Sequence, residues 1–197
     1  MTPWEHHPAL TEDRLSTVAK LIQMGRDNAL DRFAPRFGCT GWTVGCEAFA
    51  FQCHEIATAA EDHEWLNILN SSMEFVFSIG GVPARFYRGK PDDPNQRTLR
   101  QSFDEIKQGA LFSDEELSRL SGRPLYRFAV ETDFDGSIEA ISFVVLVGDT
   151  PMLTWQIPLD QSVSKVSPLD VEVDDGVDLA APTVEVARKE RKDGTND

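Results

Sequence analysis

The spacing of apolar residues changes near residue 70, and this change most limits the fold that the chain can adopt. Before it, residues 11–34 and 43–69 carry apolar side chains at helical spacing. After it, residues 73–79 follow a period of two, which is typical of a half-buried strand. The sequence therefore predicts an α+β fold, with two N-terminal helices packed on a sheet.

Gly80 and Gly81 follow this strand and predict a two-residue hairpin turn, because glycine readily adopts positive φ. The expected cross-strand pairs share one face: Ile79 with Val82, Phe77 with Ala84, and Phe75 with Phe86. Arg85 and Tyr87 fall on the opposite face, so Arg85 is expected to face the solvent.

The remaining folded segments predict a helical insert and a meander. Residues 89–98 are interpreted as a loop, 99–108 as helical turns, and Ser113 as the start of a short helix. Three strands are then expected over residues 125–157, and Asp135-Gly136 forms the turn between the first two. That turn pairs Val130 with Ile141 and Phe128 with Phe143. Together with the hairpin, the meander gives an antiparallel sheet of about five strands.

The domain limits follow from where the apolar content thins. Residues 1–10 are expected to be a flexible N-terminus, and residues 11–158 a single α+β domain. Residues 159–197 are acidic and predict a tail that is mostly disordered.

Charge and cysteine usage exclude several classes of protein. The net charge of −14 argues against general nucleic-acid binding, which needs a basic surface to neutralise phosphates. No apolar run approaches the ~20 residues of a membrane helix. The three cysteines lie within residues 39–53 instead of being spread as a disulfide framework, which indicates a reducing cytoplasm.

Basic residues are concentrated between positions 82 and 100, within an otherwise acidic chain. We call the following set the basic patch: Arg85, Tyr87, Arg88, Lys90, Arg97 and Arg100. An arginine fork can hold two oxygens at once, so the patch is a candidate site for an anion or an acidic partner. The alternative is that these cations pair with the protein's own acids, with Glu74 the nearest candidate for Arg85.

The sequence carries no signature of catalysis, metal binding or a cofactor. The helix that bears Cys46, Cys53, His54 and His63 lacks both a Cys-x-x-Cys pair and a His-Glu-x-x-His motif. The alternating acids Glu131, Asp133 and Asp135 suggest Mg²⁺, but Asp135 is better explained by its turn with Gly136.

These observations favour a non-enzymatic cytoplasmic protein-interaction or regulatory factor of the antitoxin, immunity or accessory kind. Its basic patch would engage an acidic partner, expected to be another protein, or an anion. One alternative is a small enzyme for a phosphorylated or carboxylated substrate. Another is an acidic inhibitor that mimics nucleic acid. An exposed edge strand would also permit a homodimer.

Overall fold

A computed structural model describes residues 1–101, 105, 107 and 124–159, without the side chains of Gln96 and Arg97. The described helices precede the sheet, apart from one short helix inside the insert. They are α1 (Pro3–His6), α2 (Glu12–Asp31), α3 (Gly41–Asp62) and α4 (Gln96–Leu99), with a 3-10 turn at Pro35–Phe37. None of these helices is both long enough and apolar enough to span a bilayer.

The two long helices begin close to their predicted positions, and each begins at a threonine cap. The Thr11 side chain accepts a hydrogen bond from the Arg14 backbone N–H at the start of α2, and Thr40 does the same for Thr43 in α3. Helix α3 ends at Asp62, seven residues before the predicted end, because His63 has an extended backbone. About the last two turns of the predicted helix are therefore wrong.

In the described part of the chain, six strands form one sheet in sequence order. They are β1 (Leu66–Asn70), β2 (Val76–Ile79), β3 (Val82–Arg88), β4 (Leu125–Thr132), β5 (Ile138–Val147) and β6 (Thr150–Gln156). The α+β class is confirmed, but the sheet is mixed and not purely antiparallel, since β3 and β4 are parallel. A long connection separates β3 from β4 in the sequence, and parallel neighbours require such a crossover. The strand that the sequence did not predict is β1, which occupies residues predicted as the end of the second helix.

The two predicted turns give most of the predicted register. Gly80 and Gly81 adopt φ angles of 55° and 91°, and β2 pairs with β3 as expected at Ile79↔Val82 and Phe77↔Ala84. In the meander, Phe128↔Phe143 and Val130↔Ile141 are also confirmed. Phe75 precedes β2 and is not part of its ladder, although its ring lies 6.2 Å from that of Phe86.

Buried apolar clusters lie on both faces of the sheet. The larger core lies between the helices and the sheet and includes Leu15, Ile22, Phe77 and Phe128. A smaller cluster lies on the other face, with Tyr87 and Leu99 packed against it; its buried members are Leu125, Ala129, Val144 and Leu146. Strand β5 contributes buried apolar residues to both clusters, with Phe143 in the larger and Val144 in the smaller.

The ends of the predicted domain differ in what the structure describes. Within residues 1–10, for which the sequence predicted flexibility, α1 places Trp4 edge-on to Trp155 with ring centroids 5.4 Å apart, and Leu10 is fully buried. Beyond Leu159, the predicted tail lies outside the described residues. The predicted helix at Ser113 also lies outside them, as do most of the turns expected over 99–108. Helix α4 occupies the end of the segment predicted as a loop.

Candidate functional site

Strand β3 separates the members of the basic patch, because alternate side chains of a strand point to opposite faces. Tyr87 packs against the smaller cluster on the face away from α2 and α3. Phe86 contacts Phe49 of α3, with ring centroids 5.6 Å apart, and Arg88 lies on this helix-covered side. Arg85 and Arg88 therefore do not form one continuous surface.

Arg85 is half-buried, where the sequence predicted a solvent-facing side chain. Its Nη1 donates a hydrogen bond of 3.1 Å to the carbonyl oxygen of Arg100. Arg100, another member of the basic patch, is exposed. Glu74 lies in the exposed turn before β2, and within the described part of the chain no ion pair joins it to Arg85. The proposed internal partner is therefore replaced by a backbone carbonyl.

Tyr87 and Lys90 are linked within the loop that follows β3. The Tyr87 hydroxyl donates a hydrogen bond of 2.9 Å to the carbonyl oxygen of Lys90, and burial raises the pKa of Tyr87 to about 12. The Lys90 side chain remains exposed. Arg97 belongs to α4, and its side chain is not among those described.

Arg127 of β4 is a buried cation that sequence reasoning missed. Its Nη1 forms an ion pair with Glu105, and the two side chains are only 1% and 3% exposed. Its Nε donates a 2.9 Å hydrogen bond to the carbonyl oxygen of Thr98. The signal was its place between Leu125 and Ala129, two apolar residues that a period of two puts on the same face. This arginine ties the insert to the sheet.

Arg26 is a second residue that sequence reasoning missed. It lines a cleft between the helices and the sheet together with Arg88. The cleft has a volume of about 160 Å³. We call it the Arg26–Arg88 cleft, and its other lining residues are Gly45, Ala48, Phe49, Gln52, Phe86, Tyr87, Val130 and Thr132. The signal for Arg26 was its position four residues after Ile22 and three before Ala29, on the apolar stripe of α2.

The Arg26 guanidinium is held at one nitrogen. Arg26 is only 5% exposed. Its Nε donates a 2.7 Å hydrogen bond to the carbonyl oxygen of Gly136. Among the described residues, no carboxylate lies within ion-pair distance of it. Burial lowers the pKa of Arg26, the nearby charge of Arg88 lowers it further, and Asp27 raises it.

Two acids in the turn of the β4–β5 hairpin accept hydrogen bonds from residues of the same turn. The Asp135 carboxylate accepts hydrogen bonds from the backbone N–H and hydroxyl of Ser137, at 2.9 and 2.7 Å, and these bonds lower its pKa. Asp133 accepts from the backbone N–H of Phe134. Over the residues that can be described, no group of three His, Cys, Asp or Glu side chains is arranged to hold a metal ion.

Comparisons with protein-family models, with curated proteins and with solved structures find no match to this chain.

Proposed function

We propose that this protein is a non-enzymatic, cytoplasmic protein-interaction or regulatory factor that binds an anionic group of its partner in the Arg26–Arg88 cleft. One observation carries the proposal. A nearly buried arginine without a carboxylate partner in the described chain shares a cleft with a second arginine. Of the basic patch, Arg88 contributes a cation to the cleft, and Tyr87 is also among its lining residues.

Buried Arg26 and exposed Arg88 line the same cleft, and two cations in one cleft favour a bound anion. Arginine stays charged under all ordinary conditions, so the burial of Arg26 and its repulsion by Arg88 both raise the free energy of the empty cleft. A bound carboxylate or phosphate would offset both costs. A hydrogen bond to a charged group contributes about 1.5–3 kcal/mol, and the free Arg26 Nη groups could supply more than one.

The size and lining of the cleft favour a binding role over the alternative of a small enzyme. Pockets for complete small molecules usually measure about 300–1,000 Å³, whereas this cleft measures about 160 Å³. Its lining residues include no histidine, cysteine or carboxylate to act as nucleophile or general base. The cleft therefore suits a single anionic group carried by a larger molecule.

The test is thermal unfolding of the full chain with sodium phosphate or sodium acetate, against sodium chloride at the same ionic strength. A ligand that binds only the folded state raises the melting temperature. We expect an anion-specific rise in the wild type that is lost in Arg88→Gln.

Lys90→Gln is the matched control. It also removes one positive charge, but Lys90 lies two residues after Arg88, is exposed and does not line the cleft. It should keep the anion-specific rise. Equal responses of Arg88→Gln and the wild type, or no difference between the oxyanions and chloride, would refute the proposed function.

A further inference from the structure

Two large aromatic side chains are exposed on segments that adjoin lining residues of the Arg26–Arg88 cleft in the sequence. Trp42 is 78% exposed and Phe134 is 98% exposed. Isolated exposed apolar residues are common and need no explanation. These two are notable because Trp42 belongs to α3 and Phe134 to the turn that follows β4, and both α3 and β4 supply lining residues of the cleft.

On the helical wall, Trp42 continues the stripe of α3 that lines the cleft. It lies three residues before Gly45 and seven before Phe49, both of which are lining residues. Residues separated by three or seven positions share one face of a helix. Trp42 therefore extends the cleft-facing stripe by one turn beyond Gly45, toward the N-terminus of α3.

On the sheet wall, Phe134 lies at the tip of the β4–β5 hairpin. Two residues before it, Thr132 lines the cleft, and two residues after it, the Gly136 carbonyl accepts the hydrogen bond from Arg26. The turn that carries Phe134 therefore lies next to Arg26. The carboxylates on either side of it are hydrogen-bonded within the turn.

We propose that this surface binds an acidic segment of another protein, with one carboxylate between Arg26 and Arg88 and its apolar neighbours on Trp42 and Phe134. The inference rests on the proposed function and names the class of partner. Charge complementarity selects the carboxylate. The aromatic rings supply the kind of anchor that dominates protein interfaces, where tryptophan and arginine are enriched among the residues that contribute most.

The cleft volume favours a side-chain carboxylate over a free metabolite. A volume of about 160 Å³ accepts one short side chain but leaves the rest of the ligand outside. A free small anion would leave both exposed rings without a contact. A peptide segment satisfies both parts of the surface, because its central residue enters the cleft and its flanking residues remain at the rim.

The test uses blocked nonapeptides of glycine and serine with one central Glu, carrying Leu or Phe two residues to either side. Two comparison peptides replace the central Glu by Gln or the flanking residues by Gly. Binding to the full chain is measured by calorimetry. Because Trp42 is far more exposed than the other tryptophans, acrylamide quenching of fluorescence also reports whether the indole becomes covered.

We expect the Gln peptide and the Arg88→Gln variant each to weaken binding at least about tenfold. Trp42→Ala and Phe134→Ala should each weaken binding of the flanked peptide about five- to tenfold. These two variants should leave binding of the Gly-flanked peptide and the stabilisation by phosphate unchanged. The exposed Lys90→Gln variant should bind like the wild type.

The outcomes separate the two proposals. If phosphate stabilisation depends on Arg88 but flanking residues and aromatic rings have no effect on peptide binding, the proposed function stands and this inference is wrong. If Arg88→Gln alters neither measurement, both are wrong. Tighter binding of a phosphoserine peptide than of the Glu peptide would also overturn the assignment of a carboxylate.

The chain's own acidic segment is the competing occupant, since residues 169–174 alternate acids with apolar side chains. The full-length triple variant Asp170→Asn, Glu172→Gln, Asp174→Asn tests it. Unchanged peptide affinity is expected. Strengthening of peptide binding by about fivefold or more would assign the cleft to this segment and overturn the proposal of an external partner.

Discussion

Arg127 and Glu105 form an ion pair that is almost completely buried, on the sheet face opposite α2 and α3. Arg127 also donates hydrogen bonds to the carbonyl oxygens of Thr98 and Tyr126, at 2.9 and 3.0 Å. The Arg127 side chain therefore attaches β4 to Thr98 and Glu105, which both lie in the connection between β3 and β4. Position 105 contributes the compensating charge.

Removal of Glu105 should strongly destabilise the protein, because it leaves the Arg127 charge buried without its partner. Breaking a buried ion pair from one side typically costs about 3–5 kcal/mol. We expect Glu105→Gln to lower the free energy of unfolding by about that amount in urea titrations followed by circular dichroism. Arg85→Gln is the control; it removes one exposed hydrogen bond to a backbone carbonyl and should cost under about 1 kcal/mol.

A second variant separates the loss of the partner from a general disturbance of the site. In Arg127→Met/Glu105→Leu both charges are replaced by apolar groups, which is often neutral or stabilising for buried pairs. The double variant should therefore be more stable than Glu105→Gln. If it is less stable, the burial of the pair does not determine its contribution.

Gly25 should not tolerate a side chain, because α2 and α3 approach closely at this residue. A Cβ atom there would lie 2.5 Å from the backbone nitrogen of Gln52. We expect Gly25→Ala to lower the free energy of unfolding by about 1–3 kcal/mol through overpacking.

Gly45→Ala is the matched control, because a Cβ atom at Gly45 meets nothing within 4 Å. It should raise stability by up to about 1 kcal/mol through helix propensity. Both variants can be compared by thermal unfolding. If Gly25→Ala were as stable as Gly45→Ala, the close approach of the two helices would be wrong.

Local patterns predicted much of the fold, since turns and alternation act over a few residues. Gly80-Gly81 and Asp135-Gly136 gave the correct registers of two hairpins. The patterns failed where a contact between distant segments decides the structure. Leu66 fits a helix by spacing, but it pairs with Ile79 and is 1% exposed, so the edge strand replaces the last helical turns. The parallel pairing of β3 with β4 depends on the path of the insert, which no local pattern specifies.

The candidate site was only partly predictable for the same reason. The sequence identified Arg88 through the clustering of basic residues along the chain. Arg26 lies 62 positions earlier, and only the packing of α2 beside the sheet brings it to the same cleft. The alternation of β3 should have divided Arg85 from Arg88. However, charge clustering takes no account of which face of the strand a residue occupies.

The three cysteines should differ in reactivity according to their burial. Burial raises the pKa of Cys53 to about 12, so its thiolate fraction at pH 8 is about one in ten thousand. Cys46 is exposed. With a chromogenic disulfide reagent at pH 8, Cys46→Ala should remove the fastest phase of the folded protein and Cys53→Ala should leave it intact. Equal loss of the fast phase in both variants would contradict the burial of Cys53.

Stability should fall as the pH drops below about 6.5, and His6 and His7 should account for part of this fall. Partial burial lowers the pKa of His6, and the pKa of His7 is lowered by burial and by the charge of His6. The unfolded chain therefore takes up protons at a higher pH than the folded chain does. The stabilising contribution is complete above the unfolded pKa and is lost as acid protonates the unfolded state first.

The variant His6→Gln/His7→Gln removes both titrating groups and tests this assignment. The Tyr126 hydroxyl lies 3.3 Å from Nε2 of His6, and a glutamine amide offers a neutral hydrogen-bonding group at the same position. Urea unfolding between about pH 5 and 7.5 should give a shallower pH dependence for the double variant than for the wild type. An identical slope in both proteins would mean that these imidazoles gain protons equally in the folded and unfolded states.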